Sequence, residues 1–330
     1  MNVSILMPVF NAQETLGNSI ESIRGQSWTD WELILVDDGS TDDSGQIGAN
    51  FANRDSRIHN IRKRHEGIVA ALTAAADRAE GRYLARMDAD DTAHPDRLAK
   101  QLTLVEQDPR IALCGTRVEM VGSDLGLGRQ RYEKWINSLC SHEEILRELF
   151  VECPLSHPTF MMRRDTFEAV GGYQDHGWAE DYDLCMRLFL AGARFGKVPE
   201  PLLLWRDSPE RLSMNDDRYS FLQFRRLKRH YLFKSYLKAG TSFFQWGAGE
   251  VGKYWLREWG QDRPEAVVDI HPRKVGRRIH GYHVIAPEEL PGPGAAFIVV
   301  AVGAPGARND IRNWLNPKGY EELRDYLFLA

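Results

Sequence analysis

The sequence predicts an α/β protein in which a doubly wound sheet is followed by a second, smaller α/β unit. Short runs rich in Val, Ile and Leu alternate with segments of helical periodicity, and turn residues follow the runs. Strands separated by helices form βαβ units, so we expect a largely parallel sheet that is covered on both faces.

The first half of the chain shows this alternation most clearly. Leu16, Ile20 and Ile23 share one helical face, and an Ala-rich segment ends before Gly81. The predicted elements, in order, are a strand over 3–10, a helix over 13–24, a strand over 31–40, a helix over 67–81, a strand over 82–88 and a helix that opens at Pro95.

The second half predicts fewer but longer elements. They are a strand over 111–122, a helix over 141–151 capped by Ser141, a helix over 178–192 closed by Gly192, a basic amphipathic helix over 219–238 and a new α/β segment from 240. The length of 330 residues fits about two average domains. We therefore expect a first domain over 1–215, a linker helix over 216–239 and a Rossmann-like domain over 240–330.

Composition narrows the class of protein. The formal net charge of −5 argues against a dedicated nucleic-acid binder. The N-terminus lacks the basic region of a signal peptide, and no apolar run approaches the ~18 residues that span a bilayer. Four cysteines without CxxC spacing fit reduced thiols. A cytoplasmic protein is expected, with the inner face of the membrane as a possible place of association.

The strand that ends in "DADD" carries the strongest chemical signal. Asp88 and Asp90 are two positions apart, so their side chains point the same way along an extended chain. Carboxylates that converge without His or Cys suit Mg²⁺ or Mn²⁺, which take their remaining oxygens from substrate phosphates. The alternative is an Asp-rich turn that caps the following helix. The nearby Asp37-Asp38 pair, at another strand end, favours a site.

Three stretches together resemble glycosyltransferase family 2. They are "ILMPVFNAQETLGNSIESIRGQSWTDWELILVDDGSTD", "DADD" and "WAEDYDLCMRL", in the order and spacing of that family from residue 3 to about 215. The resemblance implies the GT-A fold, a doubly wound mixed sheet, and inverting transfer of a sugar from a nucleotide-diphosphate sugar.

The resemblance also implies roles for individual residues. Asp90 is expected as the main metal contact, and Asp88 contacts the sugar nucleotide or the metal through water. Arg62, Lys63 and Arg64 are candidates for the diphosphate, with a solvated charge run as the alternative. The implied nucleotide-sugar contacts are Pro8, Phe10, Asp37, Asp38, Gly67 and Asp88, with Asp38 hydrogen-bonded to the base, typically uracil.

Glu180-Asp181 matches the family's "ED" position, which implies catalytic residues with Asp181 as the base. Acidic residues are also common in the first turn of a helix for electrostatic reasons, so the residue pattern alone leaves this open. His157 and Trp178 are expected on the acceptor side. A structural histidine and an ordinary half-buried aromatic are the alternatives.

One stretch departs from the family. Many relatives place a His two residues after an aromatic-Arg pair, whereas this chain reads Trp205-Arg206-Asp207-Ser208. Asp207 or water could replace that His at the metal. Arg206 and Arg211 remain candidate diphosphate partners.

The C-terminal segment contains a dinucleotide-binding pattern. Gly247, Gly249 and Gly252 form GxGxxG between a predicted strand and helix, and Asp269 ends the next strand. This predicts a site for NAD(P) or another nucleotide, with a scaffold role as the alternative. The segment is short for a dehydrogenase and offers no hydride-transfer residue, which favours binding over redox catalysis.

The basic helix carries seven Lys or Arg residues and no acids between 218 and 238. A packed linker helix is favoured, and contact with an anionic membrane or a charged glycan is the alternative.

These observations favour an inverting glycosyltransferase that uses a UDP-sugar, with dTDP- or GDP-sugars as weaker options. The acceptor would be the hydroxyl of a glycan, a lipid-linked sugar or a small molecule in surface polysaccharide synthesis. Two alternatives remain open. One is nucleotidyl transfer, although "PVFNAQETLGN" lacks the Gly-rich basic loop that such enzymes need. The other is a sugar-nucleotide-binding protein whose C-terminal unit binds a dinucleotide.

Overall fold

The computed structural model of the protein describes residues 2–122, 125–208 and 211–330. The chain divides into two compact units. The first contains the described residues up to Ile145 together with Pro154–Asp216, and the second contains Leu146–Cys153 together with Asp217–Ala330. The helix expected as a separate linker therefore packs within the second unit.

An eight-stranded mixed sheet forms the centre of the first unit. Its order is β3-β2-β1-β4-β7-β6-β8-β5. The strands β1 and β2 are nearly continuous apolar runs, which suits central strands that are covered on both faces. The strands are β1 Val3–Val9, β2 Trp31–Asp37, β3 Ile58–Arg62, β4 Tyr83–Arg86, β5 Thr92–Ala93, β6 Ile111–Val121, β7 Met161–Arg163 and β8 Arg194–Arg206.

Helices connect these strands, as the periodicity predicts. The helices up to the unit boundary are α1 Leu16–Arg24, α2 Ser44–Ala52, α3 Ile68–Arg78, α4 Arg97–Gln107, α5 Leu127–Ser138, α6 His142–Glu148, α7 Arg164–Ala169, α8 Glu180–Leu190 and α9 Leu212–Asn215. Ser141 caps α6 as expected, because its hydroxyl accepts from the Glu144 N–H and Glu144 accepts from the Ser141 N–H.

The observed elements of the first unit differ from the sequence prediction at several places. Helix α4 begins at Arg97 rather than at Pro95, because Thr92–Ala93 first pairs with β8 as the short strand β5. The strand β3 lies at the sheet edge and is only partly buried, so its sequence lacks the continuous apolar run of its neighbours. The sequence prediction lacks this strand, and it also lacks β5, β7, β8, α2, α5, α7 and α9.

The topology brings several chain segments to one edge of this sheet. The strands β1, β2, β3 and β4 run parallel, so their carboxyl ends meet. The strand β7 runs antiparallel to β4, which places the start of β7, and the segment before it, beside the end of β4. This edge therefore collects the residues that follow β1, β2 and β4 together with those that precede β7.

The second unit contains a six-stranded sheet in the order β11-β12-β10-β9-β13-β14. All neighbouring pairs from β12 to β14 are parallel, and the chain reverses direction across the sheet between β9 and β13. This is the strand order of doubly wound nucleotide-binding folds. The elements are β9 Phe243–Trp246, β10 Val267–Val268, β11 Arg278–Ile279, β12 Tyr282–Ile285, β13 Phe297–Val300, β14 Tyr326–Phe328, α10 Phe221–Ser235, α11 Glu250–Glu258 and α12 Ala307–Leu315.

Helix α10 packs against the rest of the second unit through its apolar and basic side chains alike. Lys228 is buried and donates to the carbonyls of Val151 and Leu329, and burial lowers its pKa to about 8. Arg229 pairs with Asp262. Two of the basic residues over 218–238 therefore have partners within the second unit. Membrane contact through this segment stays a prediction. None of the helices in the described part of the chain is long and apolar enough to cross a membrane.

Candidate active site

Asp38 directly follows β2 and anchors the loop that leads into α3. Its carboxylate is buried and accepts the backbone N–H groups of Glu66 at 2.9 Å and Gly67 at 2.8 Å. Gly67 has a positive φ of 90° and begins the helix, so a glycine suits this turn. The two predicted nucleotide residues Asp38 and Gly67 are thus in direct contact.

His65 contacts both Asp38 and Phe10. Its Nδ1 lies 2.9 Å from the Asp38 carboxylate, and its ring stacks on Phe10 with centroids 4.2 Å apart. Phe10 is 47% exposed although it follows a buried strand. An exposed aromatic face beside a buried carboxylate is a suitable site for a nucleobase, which offers both a flat ring and N–H donors.

The other residues expected at the nucleotide differ in their contacts and exposure. The Asp37 carboxylate accepts from the Ser40 N–H at 2.8 Å, so it holds the turn after β2. Pro8 lies within β1 opposite Val36. The basic run before His65 is largely exposed, and Lys63 pairs with Glu66 at 3.2 Å.

Three aspartates cluster at the end of β4. Ligand atoms of Asp88, Asp90 and Asp91 all lie within 4.8 Å of one another. Burial, together with the Asp88 charge, raises the pKa of Asp90 to about 6. Burial and both neighbouring carboxylates raise the pKa of Asp91 well above its usual value. Each shift means that the ionised cluster lacks sufficient positive charge around it.

The cluster fits a divalent cation. Asp91 is 1% exposed, and its Oδ2 has no hydrogen-bond partner among the described residues. A buried, unpartnered carboxylate oxygen is costly unless a cation or donor reaches it. The oxygen ligands and the local excess of negative charge match the preferences of Mg²⁺ or Mn²⁺. The cluster thus contains the predicted Asp88 and Asp90, with Asp91 as an additional candidate.

Arg86 connects this cluster with the segment proposed as catalytic. Its fully buried guanidinium pairs with Asp88 and interacts electrostatically with Tyr173 and Glu180. His157 lies beside Glu180, with its Nδ1 3.6 Å from Oε1, and its Nε2 is 2.8 Å from the Tyr173 hydroxyl. The metal cluster and the start of α8 are therefore neighbours.

The predicted catalytic pair divides into a buried and a more accessible residue. Glu180 is 1% exposed, whereas Asp181 is only partly buried. The Asp181 carboxylate accepts from the Tyr182 N–H at 2.7 Å in the first turn of α8. Trp178 donates its indole N–H to Asp183 at 2.9 Å, which fixes the ring just before the helix. Asp181 is thus the better placed of the pair to reach a substrate.

Arg206 lies beside the aspartate cluster. Its backbone N–H donates to Asp91 Oδ1 at 2.8 Å, and its side-chain Nε lies 3.3 Å from the Asp90 carbonyl. Asp207, considered above as a metal ligand, pairs instead with Arg129 at 3.1 Å and with Arg211 at 3.0 Å. These ion pairs explain why Asp207 does not join the cluster.

The sequence predicts no role for three residues of this site. His65 lies in the sequence between the basic run and Gly67, and its contacts with Asp38 and Phe10 are tertiary. Arg86 shares a strand face with Asp88 at spacing two, so a buried pair was foreseeable. Asp91 belongs to the "DADD" motif, but the motif alone predicts no role for it. Its importance depends on burial, which the sequence does not show.

Comparison with known proteins agrees with this geometry. Residues 4–171, half of the chain, match the model of glycosyl transferase family 2. EpsE of Bacillus subtilis (strain 168) is 32% identical over 225 residues, which are 66% of this chain and 77% of EpsE. The amylovoran biosynthesis glycosyltransferase AmsE of Erwinia amylovora is 28% identical over 203 residues, or 61% of this chain and 74% of AmsE.

A solved structure shares the fold. The crystal structure of S. aureus TarS 1-349 in complex with UDP-GlcNAc superposes with a TM-score of 0.57 at 17% identity, covering 72% of this chain and 68% of TarS 1-349. The first unit therefore has the GT-A fold that the sequence predicts. The family match and the EpsE relationship together establish that this chain is a glycosyltransferase and belongs to glycosyl transferase family 2.

Proposed function

We propose that the protein is an inverting glycosyltransferase that transfers a sugar from a UDP-sugar to a hydroxyl group of a growing surface polysaccharide. The observation that carries the proposal is the buried Arg86, which joins the aspartate cluster at Asp88 to the acidic start of α8 at Glu180. This contact brings a candidate diphosphate site and a candidate base to the same sheet edge.

The donor end of the proposed site is the corner formed by Phe10, Asp38 and His65. Uracil would stack on the exposed Phe10 ring and donate its N3–H to Asp38. The Asp38 carboxylate has about four acceptor positions, of which the contacts with Glu66, Gly67 and His65 use three. TarS, which shares the fold, binds UDP-GlcNAc. The proposed donor class is the same.

Asp88, Asp90 and Asp91 would hold Mg²⁺ or Mn²⁺ in this proposal. The cation supplies positive charge that stabilises the leaving diphosphate. Arg206 adjoins the same cluster and would add a second positive group for the diphosphate. Arg86 is buried and bound to Asp88, so its role is to orient that aspartate rather than to contact the donor.

The proposed chemistry needs one base. The acceptor oxygen attacks the anomeric carbon from the side opposite the diphosphate, the carbon–oxygen bond to the diphosphate breaks, and UDP leaves with that electron pair. Asp181 takes the proton of the acceptor hydroxyl. Glu180, buried beside His157, positions the first turn of α8 and does not contact the substrate. His157 and Trp178 would border the acceptor.

The names of the relatives support a polysaccharide acceptor. AmsE is named for the biosynthesis of amylovoran. Family membership favours glycosyl transfer over the nucleotidyl transfer considered from the sequence. We propose a lipid-linked or polysaccharide hydroxyl as the acceptor, reached from the side of His157.

A turnover assay tests the proposal. Purified protein with Mn²⁺, a panel of UDP-sugars and extracted lipid-linked glycans should release UDP and form a product of inverted anomeric configuration, as read by NMR. Asp181→Asn should abolish transfer while calorimetry still detects binding of the UDP-sugar. Asp77→Asn, the same change at an exposed position of α3, is the matched control and should stay active. Turnover by Asp181→Asn would reject the base, and a product of retained configuration would reject the mechanism.

A further inference from the structure

We propose that the second unit carries its own nucleotide site, which binds an esterified nucleoside 5′-diphosphate in the cavity at the point where its strand order reverses. Such a ligand is a dinucleotide or a nucleotide-sugar. The inference goes beyond the proposed glycosyl transfer and does not depend on it.

The cavity has a volume of about 690 Å³. It lies beyond the carboxyl ends of β9 and β13, between which the sheet changes direction, and residues at the starts of α11 and α12 line it. Ligand cavities usually measure roughly 300–1,000 Å³, and open α/β sheets bind ligands at this topological position. The cavity therefore has both the size and the location of a nucleotide site.

The three positions of the GxGxxG pattern contain glycine for different reasons. Gly247 has a φ of 119°, and a Cβ there would lie 2.5 Å from the Ala301 carbonyl oxygen. A Cβ on Gly252 would lie 2.0 Å from the Gly247 carbonyl oxygen. Packing thus requires both. Gly249 lines the cavity, has a negative φ, and a Cβ there would meet nothing within 4 Å.

Packing within the protein therefore does not account for Gly249. In dinucleotide folds the middle glycine lets the backbone approach a pyrophosphate at the helix N-terminus. Gly249 precedes α11, a nine-residue helix whose first N–H groups lack partners within the helix. We assign the diphosphate to this place.

Ile270 gives a second, independent indication of a ligand. It directly follows Asp269, lines the cavity, and is 76% exposed. A large aliphatic side chain that lies open at a cavity mouth suits the flat apolar face of a nucleobase. The base would lie against Ile270, next to Asp269, which directly follows β10.

Asp269 and Lys274 provide the polar contacts expected for a ribose. The Asp269 carboxylate accepts from the N–H of Ala248 at 3.0 Å, the N–H of His271 at 2.8 Å and Lys274 Nζ at 2.9 Å. A carboxylate has about four acceptor positions, so one remains for a ribose hydroxyl. Lys274 is partly exposed and retains further N–H donors. Asp269 lies 20 residues after Gly249, which is the spacing of ribose-binding acids in such folds.

Carboxylates in the lining select against additional phosphate groups. Glu250 and Asp310, in the first turns of α11 and α12, both line the cavity. A carboxylate repels a third phosphate but accepts hydroxyl groups. The second phosphate of the ligand would therefore carry a hydroxylated sugar, as it does in NADH and in UDP-glucose.

The test separates this site from the glycosyl-transfer site. The 330-residue protein carrying Phe10→Ala and Asp90→Asn, which disable the donor site, would be titrated in EDTA with NADH, UDP-glucose, ADP and UDP by calorimetry. We expect binding of NADH or UDP-glucose near one per chain. Adding Gly249→Val should weaken it at least tenfold because the new side chain enters the cavity. Gly292→Val, another glycine whose Cβ would meet nothing within 4 Å, should leave it unchanged.

Ile270→Ser should also weaken binding. Because Ile270 is highly exposed, this variant should fold even if Gly249→Val disturbs the fold. NADH binding alone would identify a dinucleotide, and UDP-glucose binding alone a nucleotide-sugar. Absence of binding at millimolar concentration, or binding that neither Gly249→Val nor Ile270→Ser changes, would overturn the proposal. Failure of the wild-type protein to transfer a sugar in the turnover assay would contradict the proposed function. It would leave the proposed nucleotide site of the second unit unaffected.

Discussion

At the scale of single residues, nearby arginines offset part of the repulsion among Asp88, Asp90 and Asp91. Arg86 pairs with Asp88, and the backbone of Arg206 donates to Asp91. Arg97 is buried below the cluster, and burial lowers the pKa of its guanidinium to about 10 despite the attraction of Asp91. These cations do not fully compensate the cluster, since the pKa values of Asp90 and Asp91 remain raised. A bound divalent cation would supply the missing charge.

This imbalance predicts pH-dependent metal affinity. With a pKa of about 6, Asp90 is mostly protonated at pH 5 and mostly ionised at pH 7. One competing proton of that pKa should make Mn²⁺ binding about tenfold tighter at pH 7 than at pH 5. Electron paramagnetic resonance of free Mn²⁺ measures the affinity at each pH. The control variant Asp90→Asn should bind Mn²⁺ more weakly, and its affinity should change less with pH. Equal wild-type affinities at the two pH values would contradict the prediction.

The same shift has a consequence for stability. The pKa of Asp90 in the folded protein exceeds its ordinary value of 3.8, so the folded state binds more protons between these values. Asp90 therefore lowers the free energy of unfolding of the metal-free protein as pH rises from about 4 through 6. Mn²⁺ should raise the melting temperature more at pH 7 than at pH 5.

His65 predicts a selective effect on the nucleobase. It contacts both Phe10 and Asp38, so His65→Ala removes a stacked ring and one hydrogen-bond partner from the proposed base site. Aromatic stacking contributes about 0.5–1.5 kcal/mol, so UDP affinity should fall roughly 2- to 12-fold. Calorimetry with UDP measures the loss. His176→Ala, at an exposed histidine, is the control, and equal affinities of the two variants would remove His65 from the site.

At the scale of elements, Arg86 holds β4 and the start of α8 in one electrostatic network. Removal of this buried cation would take positive charge away from both Asp88, with which it pairs, and Glu180, which it attracts. The contact couples two motifs that lie about ninety residues apart in the sequence. It also explains why a charged residue occupies a strand whose other positions are apolar.

Arg86→Met should therefore destabilise the first unit. Removing one partner of a buried ion pair costs about 3–5 kcal/mol, and the partial exposure of Asp88 suggests roughly 3 kcal/mol in the free energy of unfolding. Urea denaturation measures it. Arg164→Met breaks a more exposed pair with Glu168 and should cost less than about 1 kcal/mol. Similar losses in the two variants would show that burial at Arg86 has little energetic importance.

At the scale of the whole molecule, the two units share the chain in an interleaved order. The segment Leu146–Cys153 interrupts the first unit and packs in the second. Glu148 pairs with Arg308 and Arg312, and Phe150 packs edge-on against Tyr236. The second unit therefore cannot be removed without exposing this segment.

A chain that ends at Asp216 should consequently aggregate. Leu149 and Phe150, now 1% and 2% exposed, would lose their surroundings in the second unit. Size-exclusion chromatography and dye binding to exposed apolar surface measure this. The same truncation with Leu149→Ser and Phe150→Ser is the matched control and should recover monomeric protein. A monomeric, dye-negative truncation without those changes would show that the first unit is independent of the segment.

The sequence by itself determined the α/β class, most helices, the central strands of the first unit, and the candidate site residues Asp38, Asp88 and Asp90. It did so because hydrophobic periodicity is local and because the carboxyl ends of neighbouring parallel strands meet at one edge. Only the tertiary structure decided that Glu180 is buried, that His65 joins Asp38 and Phe10, and that residues 146–153 belong to the second unit. Burial and pairing depend on segments far apart in the chain, whose approach no local pattern specifies.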